Sequence, residues 1–390
     1  MGLAAAGVIS FAAVAQAEEK PTHQVLTAVS STALSGYVST SIGWAPGNRV
    51  PQTGGKFEQS YAKGADRFRL DVIDIKLSSA LAEGEWASGY NVELWLGPDA
   101  GDYDNQIGSG GDNGGIAIKN ANVVLNIPVG NGIQAKIGVF DTIIGYESAN
   151  SIENPNYTRS LGYSLEPTSH TGLLLSYKVM DNISVSAGMA NTIDAETINN
   201  DDTTPRPLGG DGDTRGQNSQ WTYMAAVTVT APDSLGFLKG ASLTAGVIDG
   251  FDGDHFAENA DTTHIYVGAT VPTGNDKVNL GFAWDRKHEN KTSKDQDALA
   301  AYLSLKTSEK STLNARLDYG NDSDVGRKDI ESVTTTLTFE YKLWANVVSR
   351  LEYRWQHDLN GLKGAALDNR TGLGAEDNSH EIIAQIAYKF

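Results

Sequence analysis

From residue 36 onward, apolar and polar positions take turns along the chain. In 277–286, Val278, Leu280, Phe282 and Trp284 are apolar, and Asn279, Gly281, Ala283 and Asp285 between them are small or polar. In 331–343, Val333, Thr335, Leu337, Phe339, Tyr341 and Leu343 share one phase, and Thr334, Thr336, Thr338, Glu340 and Lys342 the other. The end of the chain repeats the pattern, with Ile382, Ala384, Ile386, Tyr388 and Phe390 set against Glu381, Gln385 and Lys389. A period of two sends successive side chains to opposite faces of a β-sheet.

About sixteen such segments can be marked, each close to the roughly 9–11 residues with which a tilted strand crosses a bilayer. They are 36–44, 67–78, 86–96, 116–127, 133–142, 170–179, 183–192, 221–231, 241–250, 262–271, 277–286, 298–306, 311–320, 331–343, 347–357 and 380–390. The second changes phase near Val72–Ile73, which predicts a bulge. The connections alternate as well. Short ones carry turn residues, such as Pro128-Val129-Gly130-Asn131-Gly132 and Met180-Asp181-Asn182. Long ones are polar and rich in Gly and Asp, at about 45–66, 97–115, 143–169, 193–220, 251–261, 287–297, 321–330 and 358–379. The pattern predicts an all-β fold, a transmembrane antiparallel up-and-down barrel over 36–390. Short turns would face the periplasm and long loops the exterior. A soluble β-sandwich would have shorter strands and no such regular alternation of connections.

Composition sharpens this picture. The 390 residues would suggest two or three soluble domains at about 150 residues each, whereas the alternation predicts one closed sheet. Hydrophobic content is 40% and charged content 20%, which fits one face in lipid and one in water. After the first residues, no stretch has the roughly 20 apolar residues of a spanning helix. Residues 1–17 read as an export signal, an apolar run from Leu3 to Val14 followed by Ala15-Gln16-Ala17. Residues 18–35 would be a periplasmic lead-in. A cysteine-free exported barrel belongs in a bacterial outer membrane, with its lipid as partner. The net charge of -18 argues against nucleic acid.

Three stretches carry a resemblance. They are Gly138-Val139-Phe140-Asp141-Thr142-Ile143-Ile144-Gly145-Tyr146-Glu147, followed by Asn154-Pro155-Asn156-Tyr157-Thr158-Arg159-Ser160 and Glu166-Pro167-Thr168-Ser169-His170-Thr171-Gly172. This block resembles the OmpL-like β-barrel porin family, which implies an outer-membrane pore without naming a solute. The topology also resembles general porins, whose third long loop folds into the barrel. By that analogy the segment 143–169 is the candidate constriction, with Glu147, Glu153, Arg159, Glu166 and Tyr157 as its chemistry. General porins also suggest a homotrimer.

If the bulky apolar phase meets lipid, the other phase lines the pore. It carries Arg67, Arg69, Lys76, Lys119, Lys136, Lys178, Arg316, Lys342, Arg350, Arg354 and Lys389, against Asp71, Asp74, Glu93, Asp285, Asp318, Glu340, Glu352 and Glu381. A charge facing lipid at the midplane would cost about 2–4 kcal/mol. The negative excess then sits in the loops, for instance Asp99, Asp102, Asp104 and Asp112. Loop carboxylates facing Arg67, Arg69, Arg316, Arg350 and Arg354 would set a transverse field. Alternatively, the wall charges pair with their neighbours.

These features predict passive diffusion of small hydrophilic solutes and ions, with no cofactor, no metal and no chemical step. Neither H-E-x-x-H nor G-x-S-x-G occurs, and Asp249 to Asp254 lacks calcium-loop spacing. Two other readings stay open. One is a substrate-specific channel with Trp95, Phe140, Tyr266 and Tyr302 as a lumenal ladder. The other is a non-conducting structural or adhesive barrel whose loops plug the lumen.

Overall fold

A computed structural model describes residues 32–46, 67–81, 85–101, 103, 106–111, 114–191, 193, 221–251, 261–274, 277–290, 293–323, 329–360 and 378–390. The expected signal 1–17, most of the lead-in and much of the acidic loops lie outside them. The described strands are β1 (Thr32–Trp44), β2 (Phe68–Ser79), β3 (Ser88–Gly97), β4 (Gln106–Gly111), β5 (Gly114–Ile127), β6 (Ile133–Asp141), β7 (Ser169–Met180), β8 (Ile183–Ala190) and β9 (Thr222–Thr230). They continue as β10 (Ser242–Phe251), β11 (Asp261–Pro272), β12 (Val278–Glu289), β13 (Lys294–Lys306), β14 (Ser311–Ser323), β15 (Ile330–Tyr341), β16 (Val347–Asp358) and β17 (Asn378–Lys389).

All described pairings are antiparallel between neighbours, and the ring closes where β1 pairs with β17, from Tyr37↔Lys389 to Trp44↔Ile382. Beyond that ladder, Gly36 and Phe390 exchange two backbone hydrogen bonds of 3.1 and 3.0 Å. Closure is required because lipid cannot satisfy a free strand edge. Since β3 pairs directly with β5, and β4 pairs only with β5, β4 stands outside the ring and sixteen strands close the barrel. Sequence alternation alone does not disclose β4, a six-residue Gly-rich insertion, or the short helix α1 (Pro98–Gly101) before it. The first strand begins at Thr32 rather than 36.

The exposure pattern reverses that of a soluble protein. On β14, Leu317 is 55% exposed and Arg316 only 1%. Leu337, Leu351 and Ile386 face outward, whereas Thr336, Arg350 and Gln385 are buried inside. In water this arrangement would be costly, but in lipid the outer apolar band is the solvated face.

Two bulges alter the alternation where charge faces the lumen. The β1–β2 register shifts between Ser39 and Thr40, opposite Asp71, one residue from the phase change read in the sequence. A second shift, between Glu93 and Leu94, lies opposite Lys119. Each extra residue turns inward, so Asp71 joins Asp74 and Lys119 joins Asn120 on the buried inner wall.

Strands β6 and β7 meet at a glycine pair, Gly138↔Gly172. Gly138 has φ +125°, and a Cβ there would lie 2.2 Å from the Ala121 carbonyl oxygen. Left-handed backbone alone costs a non-glycine residue about 1–2 kcal/mol. Gly138→Ala should therefore lower the midpoint of denaturant unfolding by at least that equivalent, read from the heat-modifiable gel shift. An unchanged midpoint would show that the strand relaxes freely.

Candidate lumenal site

The segment between β6 and β7, residues 142–168, turns into the barrel. It carries two single 3-10 turns, Ser151–Glu153 and Gly162–Ser164. Its apolar side packs against the small-residue wall of β8 to β13. Ile143 and Ile144 join Phe140, Leu174, Met224, Ile248, Tyr266 and Tyr302 in one buried cluster. Tyr146 stacks on Tyr302 with ring centroids 4.2 Å apart. Leu161 and Leu165 pack on Ala298. Between Met224, Ile248, Tyr266 and Tyr302 the inner phase of this wall is largely Gly, Ala, Ser and Thr, which leaves room for a loop.

Its polar side is tied to the next strands of the ring, β14 to β16, and beyond them to β2. Glu352 on β16 accepts the backbone N–H groups of Tyr157 and Thr158 at 2.6 and 2.9 Å. Thr338 on β15 donates to Glu352 and accepts from Asn156 at 2.7 Å. Arg350 donates to the carbonyls of Ser151 and Asn154 while pairing with Glu340 at 2.9 Å. Arg316 on β14 reaches Glu147 and Asp318, both at 2.9 Å, and the carbonyls of Thr158 and Arg159. These three side chains are buried: Arg316 0%, Asp318 0% and Glu147 1% exposed. Removing one member of a buried ion pair costs about 3–5 kcal/mol, because the partner charge is stranded. Glu147 also accepts the Ser160 N–H at 2.6 Å.

At the β1–β2 side, Asp71 accepts hydrogen bonds from Ser39, Ser41 and the Tyr157 hydroxyl at 2.8, 2.5 and 3.1 Å. Burial, with Asp71 and Asp99 near, pushes the Tyr157 hydroxyl up, so it stays a donor. Arg69 pairs with Asp99 of the next loop at 3.1 Å. That loop also tucks inward, where Ala100 and Tyr103 pack on Trp95. Glu93 lies 3.2 Å from Lys119 and 3.6 Å from Lys76, and accepts from Asn120 and Asn150. Arg354 pairs with Glu381 at 3.4 Å. Lys136 faces the lumen half-buried, and Arg67 lies exposed just before β2.

The geometry thus sorts the candidate loop residues. Glu147 and Tyr157 are buried fasteners. Glu153 is exposed and accepts from the Ser148 hydroxyl at 2.7 Å, and Arg159 is half-buried. The Arg159 guanidinium folds back 5.5 Å over the Tyr163 ring and donates to the Tyr157 carbonyl at 2.7 Å. Of the facing charges, Arg316 meets the loop carboxylate Glu147 as well as Asp318 of the wall, whereas Arg350 meets the loop through backbone carbonyls and pairs with Glu340 of the wall. Trp95, Phe140, Tyr266 and Tyr302 are buried under packed loops and present no open aromatic ladder. The tethers Ser39, Ser41, Asn156, Thr338 and Gln385 are absent from the charged-residue reading, because neutral donors leave no charge signal. Among the described residues no cluster of three or more His, Asp or Glu could hold a metal.

One fastening is proton-dependent. Glu166 hydrogen-bonds Asp285 on β12. Two glycines make room for the pair: a Cβ on Gly145 would lie 2.2 Å from a Glu166 oxygen, and one on Gly162 2.3 Å from an Asp285 oxygen. Desolvation, then Asp285 and Glu147, hold the Glu166 carboxyl well above the usual carboxylate range. The folded form therefore keeps a proton that the freed side chain would release. The fastening is strongest below the ordinary Glu value and weakens as pH rises from there through the raised one. The cysteine-free chain allows a single probe, Ser164→Cys. Its thiol-labelling rate, divided by that in a Glu166→Gln background, should rise with pH. A flat ratio would contradict the shared proton.

Among curated protein sequences, none matches this chain. Solved structures share its fold. The in-vitro folded, trimeric form of OmpT, an outer membrane protein of Vibrio cholerae, superposes with a TM-score of 0.58 at 14% identity, over 92% of this chain and 99% of that one. The anion-selective porin from Comamonas acidovorans gives 0.57 at 14% identity, over 92% and 99%. The family model described as "Putative beta-barrel porin-2, OmpL-like" matches residues 31–390. Sixteen closed strands and that match across the barrel place the chain in the OmpL-like β-barrel porin family, as a porin of the bacterial outer membrane.

Proposed function

We propose that the 142–168 loop is the constriction of this porin and sets the size of solute that diffuses through. The observation that supports it is the span of its tethers. One short segment bonds to Asp71 on β2, Glu352 on β16 and Arg316 on β14, and packs on Tyr302 of β13 and on Tyr266 of β11, across the barrel from β2. A sixteen-stranded barrel encloses a wide aqueous lumen unless something narrows it. In this reading Glu147, Tyr157 and Glu166 hold the loop in place, and Glu153 and Arg159 are its charges nearest to passing solute. Arg67, Arg69, Asp71, Glu93, Lys119, Lys136, Arg316, Asp318, Arg350, Glu352 and Arg354 form the wall that receives it. No bond is made or broken in the solute, so transport follows its gradient. The export signal at 1–17 and a homotrimer, as in the trimeric Vibrio porin, complete the proposal.

Shortening the loop across 148–160 while keeping Glu166 tests the assignment. In liposome-swelling assays the shortened chain should admit larger neutral sugars, and its single-channel conductance should rise. If folded shortened protein has the wild-type size limit, the constriction lies elsewhere.

A further inference from the structure

The described wall carboxylates near the constriction are taken up locally. Asp71 is bonded by Ser39, Ser41 and Tyr157, Glu93 by Lys119 and two asparagines, Glu147 and Asp318 by Arg316, Glu340 by Arg350, and Glu352 by loop amides. Arg316 and Arg350 are spent in the same pairs, Arg69 on Asp99 and Arg354 on Glu381. Lysines at the turn end of the barrel behave differently. Lys76 sits three residues from the end of β2 with its side chain 42% exposed, although its amine lies 3.6 Å from Glu93. Lys136, near the start of β6, has no carboxylate within ion-pair distance among the described residues, and Asp141, Lys76 and Lys119 are within its electrostatic reach. Lys178 faces inward on β7 and touches only the turn residue Asp181. Two strands from Lys76, exposed Lys389 on β17 shares its surroundings with Arg350 and Lys342.

The opposing groups are mostly engaged elsewhere. Asp141 acts on Lys136 but is paired with Lys119 at 2.9 Å, and Glu153 of the loop has electrostatic reach to Lys119 and Lys389. Asp74 is buried between Glu93 and Lys76, and Glu340 is already paired with Arg350. The chain is strongly acidic as a whole, yet the water-facing charge of this vestibule is basic. Charged walls of low dielectric focus their field into the water they enclose.

We infer that Lys76, Lys136, Lys178, Lys342 and Lys389 make the turn-side vestibule an anion-collecting funnel, so the pore favours small anions over cations. This rests on the reading of the chain as a conducting porin and assigns its preferred solute charge. The acidic exterior would by itself favour cations, so the sign of selectivity decides which end governs.

The test is the reversal potential of the folded wild-type porin in planar bilayers under a potassium chloride gradient at low ionic strength. Chloride preference is expected, declining at high salt as screening shortens the field. Lys136→Glu with Lys389→Glu should move the reversal potential toward the potassium value, and the Lys136→Gln, Lys389→Gln pair should fall between. Heat-modifiable mobility verifies that each variant is folded. Potassium preference in the wild type overturns the inference, as does an unchanged reversal potential in folded, conducting glutamate variants. Folded wild type that carries no current overturns the pore reading itself, and this inference with it.

Discussion

Hydrocarbon offers no hydrogen bonds, and the architecture follows from that constraint. Every backbone N–H and C=O at membrane depth needs a partner within the protein, so the sheet must close on itself. Here closure runs through the β1–β17 ladder and ends in the paired bonds between Gly36 and Phe390. Once the ring is shut, the two faces of each strand meet different media. Leucines such as Leu317 and Leu351 go out, and charges such as Arg316 and Arg350 go in.

Bringing charge inside creates a second requirement. A buried arginine is tolerable only when fully bonded. In this barrel a single loop meets much of that need. Its carbonyls at Ser151, Asn154, Thr158 and Arg159 accept from Arg350 and Arg316, while its amides at Tyr157, Thr158 and Ser160 donate to Glu352 and Glu147. Wall and loop therefore complete each other electrostatically. On the other side the wall has small residues on its inner phase, and the loop fills it with Ile143, Ile144 and Tyr146. Polar tethering on one side and apolar packing on the other hold the segment across the lumen.

The barrel was legible in the sequence because lipid imposes a strict period of two, read directly in segments such as 331–343. The phase change near Val72 likewise showed as a bulge. The shift at Lys119 left no such trace, since 116–127 alternates too loosely for one extra residue to stand out. Sequence placed the loop between the right strands, singled out Glu147 and Tyr157 and set loop carboxylates against wall arginines, but did not show which residue meets which. The Arg316–Glu147 contact joins residues 169 positions apart, and only closure of the ring brings them together. Trp95 and Tyr302 show the opposite error. Their inward phase suggested an open surface, whereas loop packing covers them. Period reports which face a residue takes, not what later covers that face.

In the proposed pore the loop stays fixed across the lumen while the protein conducts. Amide hydrogen exchange at Tyr157, Thr158 and Ser160, in porin reconstituted into vesicles shown to pass ions, measures this directly. The account predicts exchange as slow as in the flanking strands β6 and β7, because each amide donates to a buried carboxylate. Exchange as fast as in solvent-exposed turns would contradict it.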